Sequence, residues 1–314
     1  MKFRLLPLLG ALAGFFSGAH AAPPAHLDRG LTLVDQITAA QAVGIYTGVV
    51  DGVTVFLNRY GGSWNSPTNP SFIRFFNFAA SDFTGPYAAN YTECSPLVTH
   101  LLRHTYGWDW KQYPIPDPLN PGAFISRSSP SSYLYVSAMK HQIGFAARIA
   151  SFLDVQPGDI GAYWTVGTDN GHTWIVVSAD FAGGKTYPAA NSVSASDPNY
   201  IPALAGAVFY ELTVLDSSRS GHTNDTRLIT YRSTTPYLSG GVGVGVMGIF
   251  ADQAGNVLGH TWSIPTSSYL KTVNGVTQVN PSWLSAIKSR VQLQAQVETV
   301  FGRLPGPIYV PLDL

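Results

Sequence analysis

The sequence predicts an α+β fold in which helices precede an antiparallel sheet. Three observations carry that expectation. Apolar residues at helical spacing are concentrated in the first half. Alternating segments joined by tight-turn signals fill the second half. Glycine (31) and proline (22) are abundant, which suits strands and turns better than a helical bundle. Residues that are 45% hydrophobic and only 11% charged can bury a large core, and the composition is not that of a disordered chain. The formal net charge is zero with no Lys/Arg cluster, which argues against nucleic acid as a partner.

Met1 to Ala22 opens on Lys2 and Arg4, continues through an apolar run from Leu5 to Phe16, and ends on Ala19-His20-Ala21. This is the pattern of a cleavable secretory signal, too short to span a membrane. The expected product is an exported chain, secreted or periplasmic, comprising residues 23–314 as one domain. A weak helical pattern runs from Leu33 to Val43 and an alternating one from Gly48 to Leu57. Gly61 to Pro70 reads as a loop, and so does Pro114 to Pro130 with its five prolines. Ala138, Ile143, Ala146, Ile149 and Leu153 predict a helix between Ser132 and Leu153. Ile160–Val166 and Thr173–Ser178 flank Asp169-Asn170-Gly171, a hairpin signal because Asn-Gly supplies positive φ angles. Ala207–Leu215 predicts a further strand. Val242–Phe250 and Val257–Ile264 predict a second hairpin. Pro281 and Gly302 would bound a final helix ending near Phe301.

The chain has one cysteine, Cys94, so an intramolecular disulfide and a cysteine-based zinc site are both excluded. A lone thiol is either an inert small hydrophobe or a reactive group. Leu97, Val98, Leu101 and Leu102 predict that a helix starts at this cysteine, with Pro96 tolerated in its first turn, Thr92 or Ser95 as cap and Gly107 as its end. A helix N-terminus stabilises a thiolate, and that favours the reactive reading. A thiol nucleophile needs a base and the base needs an orienting partner. His172 follows the Asn-Gly turn and opens a strand, with Trp174 and Val176 on its own face. Asp216 lies where an antiparallel neighbouring strand would end beside it. Asp180 and Asn191 are rivals for the third role, and His260 is a rival base because Gly-His-Thr-Trp occurs at both Gly171–Trp174 and Gly259–Trp262.

Glu93-Cys94-Ser95 opening a helix resembles the Asp-Cys-Ser-Gly element of NlpC-type cell-wall peptidases. Val155-Gln156-Pro157-Gly158-Asp159-Ile160 followed by Gly171-His172-Thr173-Trp174-Ile175-Val176-Val177 resembles their Pro-Gly-Asp-Leu and His-Val-Gly-Ile-Tyr segments, an order that CHAP-type amidases share. The resemblance spans about an eighth of the chain, and Pro96 departs from it where the family has glycine. It implies a papain-like fold, a nucleophile helix packed on an antiparallel sheet, with Cys94 as nucleophile and His172 as base. It further implies amide hydrolysis in peptidoglycan-type peptides and no cofactor. Tyr87 or Tyr91 would assist the oxyanion.

Tyr91, Trp174, Arg219 and His222 are the expected substrate contacts. Arg227 joins Arg219 and His222 in a polar cluster suited to a carboxylate. His100 and His104, four residues apart, are spaced as zinc ligands but have no acidic third ligand. Gly240 to Gly245 reads as a glycine-rich strand closely approached by another backbone. The alternative to an enzyme is a catalytically silent binding module on the same scaffold.

Overall fold

The computed structural model describes residues 24–50, 53–61, 72–74, 88–227, 240–273 and 275–306. The secretory pattern at residues 1–22, most of the Gly61–Pro70 loop, and Tyr87 lie outside them. Helix α1 (Ala25–Ala42) leads into an antiparallel pair, β1 (Thr47–Val50) and β2 (Val53–Phe56). A small sheet follows, of β3 (Asn58–Tyr60), β4 (Phe72–Arg74) and β5 (Ala89–Thr92), with β5 in the middle. Helix α2 (Cys94–Tyr106) continues directly from it, and then come the short pair β6 (Ile115–Pro116) and β7 (Phe124–Ile125) and helix α3 (Ser132–Lys140).

The second half supplies β8 (Ala147–Ile149), β9 (Ile160–Thr165), β10 (Gly171–Thr186), β11 (Val208–Ser218), β12 (Gly241–Ala251) and β13 (Val257–Thr261). A separate hairpin, β14 (Leu270–Val273) with β15 (Val276–Val279), precedes α4 (Pro281–Lys288), β16 (Val291–Leu293) and β17 (Val297–Arg303). Eight strands form one antiparallel sheet in the order β16-β13-β12-β11-β10-β9-β17-β8. The expected α+β class is what the chain adopts.

The sheet curls on itself. His260 on β13 reaches Thr299 on β17 across 3.0 Å, although the two strands lie near opposite ends of the strand order. The alternation of β10 and β11 sorts side chains to two cores. Ile175 and Leu215 face the helices, packing with Leu97, Leu101 and Leu134. Trp174, Val176, Leu212 and Val214 face the interior of the curl with Phe152, Met247 and Phe301. A third cluster, around Phe209, Phe250, Trp283 and Leu284, seats α4. Among the described residues, no helix is long and apolar enough to cross a membrane.

Two expected helices are shorter than their apolar spacing suggested. Helix α3 stops at Lys140 because Gln142 (φ 54°) and Gly144 (φ 73°) take left-handed backbone. The chain beyond is β8 and a short 3-10 turn. Helix α4 stops at Lys288, and Val291 to Arg303 pairs into the sheet as β16 and β17. Val297, Thr299 and Phe301 also fit a period of two, and the open edge beside β9 decides for strand. The strand expected over Gly48–Leu57 is instead the β1–β2 pair.

The glycine-rich strand β12 is closely approached, by the expected neighbouring backbone at Gly240 and Gly241 but by side chains at Gly243 and Gly245. The Asn58 side chain pairs with the Val242 backbone in both directions, donating to its carbonyl at 2.8 Å and accepting from its N–H at 2.7 Å. A Cβ on Gly241 would meet Asn58 Oδ1 at 2.1 Å, and the residue has φ +112°. Gly275 is also left-handed (φ +77°) but has open space around it. Gly275→Ala is therefore expected to cost only about 1–2 kcal/mol of backbone strain. Gly241→Ala should cost more, about 3 kcal/mol or above, by breaking the Asn58 bridge as well. Urea unfolding of the two variants checks the difference.

Candidate active site

Cys94 is the first residue of α2, after Glu93 in extended conformation (ψ −178°). Neither Thr92 nor Ser95 caps the helix; Glu93 holds the N-cap position and makes no side-chain cap bond. Gly107 does end it, in the left-handed conformation. The approach to the thiol is fixed from below. Ser217 donates to the Thr92 carbonyl at 2.7 Å, and Thr92 donates to Asn90 Oδ1 at 2.7 Å. The strand leading into Cys94 is thus tied to the residue next to Asp216.

Sγ of the buried Cys94 lies 3.4 Å from Oγ of Ser132, which is the first residue of α3. Thr173 donates its hydroxyl to the same Ser132 oxygen at 2.9 Å, leaving the Ser132 proton free to point at sulfur. Two helix N-termini therefore meet at one thiol, and each carries partial positive charge. Sequence reasoning finds only one of them. Ser132, after Pro130-Ser131, has the look of an ordinary helix start, and only the fold brings it to the sulfur.

His172 is the second residue of β10 and is buried. Its Nε2 is 2.5 Å from Asp216 Oδ2, so Nδ1 is the nitrogen left for the thiol. Burial by itself would raise the thiol pKa. The charge of His172 and hydrogen bonds from His172, Ser132 and the Thr173 backbone outweigh it, and the net shift is downward. The partner moves the opposite way. Burial disfavours the His172 cation, but the Cys94 charge and the bond to Asp216 raise its pKa to about 9. Both shifts favour the thiolate paired with imidazolium over the neutral pair.

Asp216 is fully buried in the middle of a charged ring. Its burial would favour the neutral acid, but Arg227, His222 and the hydrogen bonds of both histidines hold it well below the usual carboxylate range. Arg227 Nη1 lies 2.8 Å from Oδ1, and His222 Nε2 lies 3.1 Å from Oδ2. Arg227 also grips Asp225 through Nε at 2.7 Å and Nη2 at 2.5 Å. Of the rivals, Asp180 is exposed and accepts from the Gly183 N–H, and Asn191 is exposed. Asp216 is the carboxylate bonded to His172.

The repeated Gly-His-Thr-Trp contributes differently at its two copies. The first gives the site its histidine while Trp174 is fully buried in the core. The second gives Trp262, whose ring lies edge-on to His172 at 4.8 Å and 4.2 Å from His222. Its His260 is buried, pushed down to about 4 chiefly by burial, and stacked on Tyr163 at 4.7 Å. His260 bonds to Thr299 inside the curl, whereas the groups acting on the Cys94 thiol are His172, Ser132 and Thr173.

Two expected substrate contacts are corrected. Trp174 has no exposed surface, and His222 is closed off between Asp216 and the Trp262 carbonyl. Arg227 is likewise buried on Asp216, so the expected carboxylate cluster keeps only Arg219. Arg219 is exposed, with its guanidinium carbon 5.5 Å from the Tyr60 ring centre. The Tyr91 side chain lies outside the described residues; its backbone pairs with Phe72 and Arg59.

Tyr60 was not anticipated. The parallel pairing of β3 with β5 sets Tyr60 opposite Thr92. Burial, then the Cys94 charge, raises its phenol pKa, so a protonated hydroxyl stands within electrostatic reach of the sulfur.

His172, Asp216 and His222 gather three potential metal-ligand atoms within 4.8 Å of one another, the one such group among the described residues. His100 and His104 stack at 6.2 Å on α2 and do not join it. In the trio both Nε2 atoms already bond to one carboxylate oxygen and a guanidinium holds the other. That arrangement suits protons better than a dication. No family model matches the chain, and no curated protein or solved structure matches it significantly.

An alkylation profile with iodoacetamide tests the ion pair. Cys94 should react well below the ~8.5 of a free thiol. In His172→Ala, burial remains while the compensating charge is gone, so the midpoint should rise above that of a free thiol.

Proposed function

We propose that this chain is an exported cysteine hydrolase of papain-like architecture that cleaves amide bonds, with peptidoglycan-type peptides as substrate class. The observation carrying the reading is the buried Cys94–His172–Asp216 array, in which a depressed thiol faces an elevated imidazole. A solely structural cysteine has no use for that arrangement. The substrate class rests on the resemblance of the Cys94 and Pro157-Gly158-Asp159…His172 segments to cell-wall peptidases. Within the fold, Asp159 of that second segment has a structural part. It accepts from the Gln156 N–H at 2.7 Å and pairs with Arg303 at 2.9 Å, pinning the turn that leads into the histidine hairpin.

The steps follow from the charges. The Cys94 thiolate attacks the amide carbonyl, forming the C–S bond and placing negative charge on the former carbonyl oxygen. The Cys94 backbone N–H at the start of α2 and the Tyr60 hydroxyl are the donors proposed for that oxygen. His172 gives its proton to the departing amine as the C–N bond breaks, leaving a thioester. Neutral His172 then takes a proton from water, which attacks the thioester and releases the acid. Asp216 remains ionised throughout and holds the imidazole in place.

Activity should rise with formation of the thiolate below the free-thiol range. It should fall as pH passes about 9, because His172 then loses the proton the leaving amine requires. Digestion of purified muropeptides and stem peptides, followed by mass spectrometry, tests the reading. Wild type should release products and Cys94→Ala none. Asp216→Asn should lose on the order of a hundredfold or more in kcat, measured on protein shown by circular dichroism to be folded. A folded wild type whose thiol behaves as an ordinary buried cysteine would instead favour the silent binding module.

A further inference from the structure

The acid of the site serves two histidines. Asp216 Oδ2 accepts from His172 at 2.5 Å and from His222 at 3.1 Å. The other ring nitrogen of His222, Nδ1, lies 2.6 Å from the Trp262 carbonyl oxygen. A carbonyl only accepts, so Nδ1 carries a proton. Asp216 is held ionised beside Arg227, so Nε2 donates as well. His222 is further fixed by its backbone N–H, which donates to Asp225 Oδ2 at 2.7 Å. Asp225 forks to Arg227 and Arg227 returns to Asp216, closing a ring of four residues. Space for the ring comes from β12, where a Cβ on Gly245 would meet His222 and Asp225 at 2.7 Å and one on Gly243 would meet Arg227 at 2.5 Å.

We propose that His222 is a positioning residue that shares one carboxylate oxygen with the base and so limits how firmly Asp216 holds the His172 proton. The proposal rests on the hydrolase reading above. A carboxylate bonded to the base alone would stabilise the imidazolium fully and oppose transfer of its proton to the leaving amine. A second donor on the same oxygen divides that attraction. The other groups around His172 are Cys94 from α2, Tyr163 from β9, Trp174 from its own strand, and His260 and Trp262 from β13 and the residue after it. Of these, none bonds to the oxygen that His172 uses.

The test is the pH profile of Cys94 alkylation by iodoacetamide, a neutral probe, in wild type and His222→Gln. The wild-type profile should show thiolate reactivity at low pH and a second step as His172 loses its proton. In His222→Gln that alkaline step should move upward by about half a pH unit to one unit, with far-UV circular dichroism and the cooperative thermal transition retained. A folded variant whose alkaline step stays in place or moves down overturns the proposal. If the variant does not fold, imidazole 15N NMR of wild type decides. Two imidazoles contact the Trp262 ring; His172 is the one whose signals move on Cys94 alkylation, and the other, His222, should carry protons on both nitrogens, while a bare Nε2 overturns the proposal. A wild type without low-pH reactivity would instead sink the hydrolase reading itself.

Discussion

A carboxylate with no solvent contact is the constraint around which this molecule is arranged. Removing Asp216 from water costs several kcal/mol unless cations and donors replace the lost hydration. Arg227, His172 and His222 supply that replacement from three directions. Each must be brought in by the chain. His172 arrives on β10, next to β11. His222 and Arg227 arrive on the segment after β11, which folds back over β12. The glycines of β12 follow from this, since side chains at Gly243 and Gly245 would occupy the space of Arg227, Asp225 and His222. An unusual composition in one strand is thus the imprint of a charge buried on its neighbour.

The same logic extends to the thiol. Cys94 is buried, and burial alone would leave it protonated and unreactive. Two helix starts, the Ser132 hydroxyl and the His172 cation reverse that preference. These contributors come from α2, α3 and β10, elements far apart in sequence, and their joint effect exists only when all are packed. The lowered thiol pKa here belongs to the packing of helices on a curled sheet rather than to any local motif.

Much of the sheet was readable in advance because its cues are local. Asn170-Gly171 specifies a hairpin, and the alternation on either side specifies β9 and β10. The same holds for the β12–β13 pair. Cys94 and His172 were legible too, one from a helix start and the other from a strand start after a turn. The failures share a cause. Apolar residues at Ile143, Ala146 and Ile149, or at Val297 and Phe301, are compatible with either period, and propensity does not say whether a sheet edge is waiting for them. Trp174 was misplaced because strand alternation tells which residues share a face, not whether that face is a cleft or an interior.

The sequence by itself determined the α+β order, the lone thiol at a helix N-terminus, and a histidine and an aspartate spaced for antiparallel neighbours. These are properties of contiguous stretches, where periodicity and turn chemistry act. Only the tertiary structure decided that Ser132 touches the thiol and Tyr60 comes within its electrostatic reach, that Trp262 lies edge-on to the imidazole, and that His222 and Arg227 serve the acid. Those relations depend on which faces meet when the sheet curls, and on where a buried charge must find its partners. Neither is encoded within reach of a turn or a helix repeat.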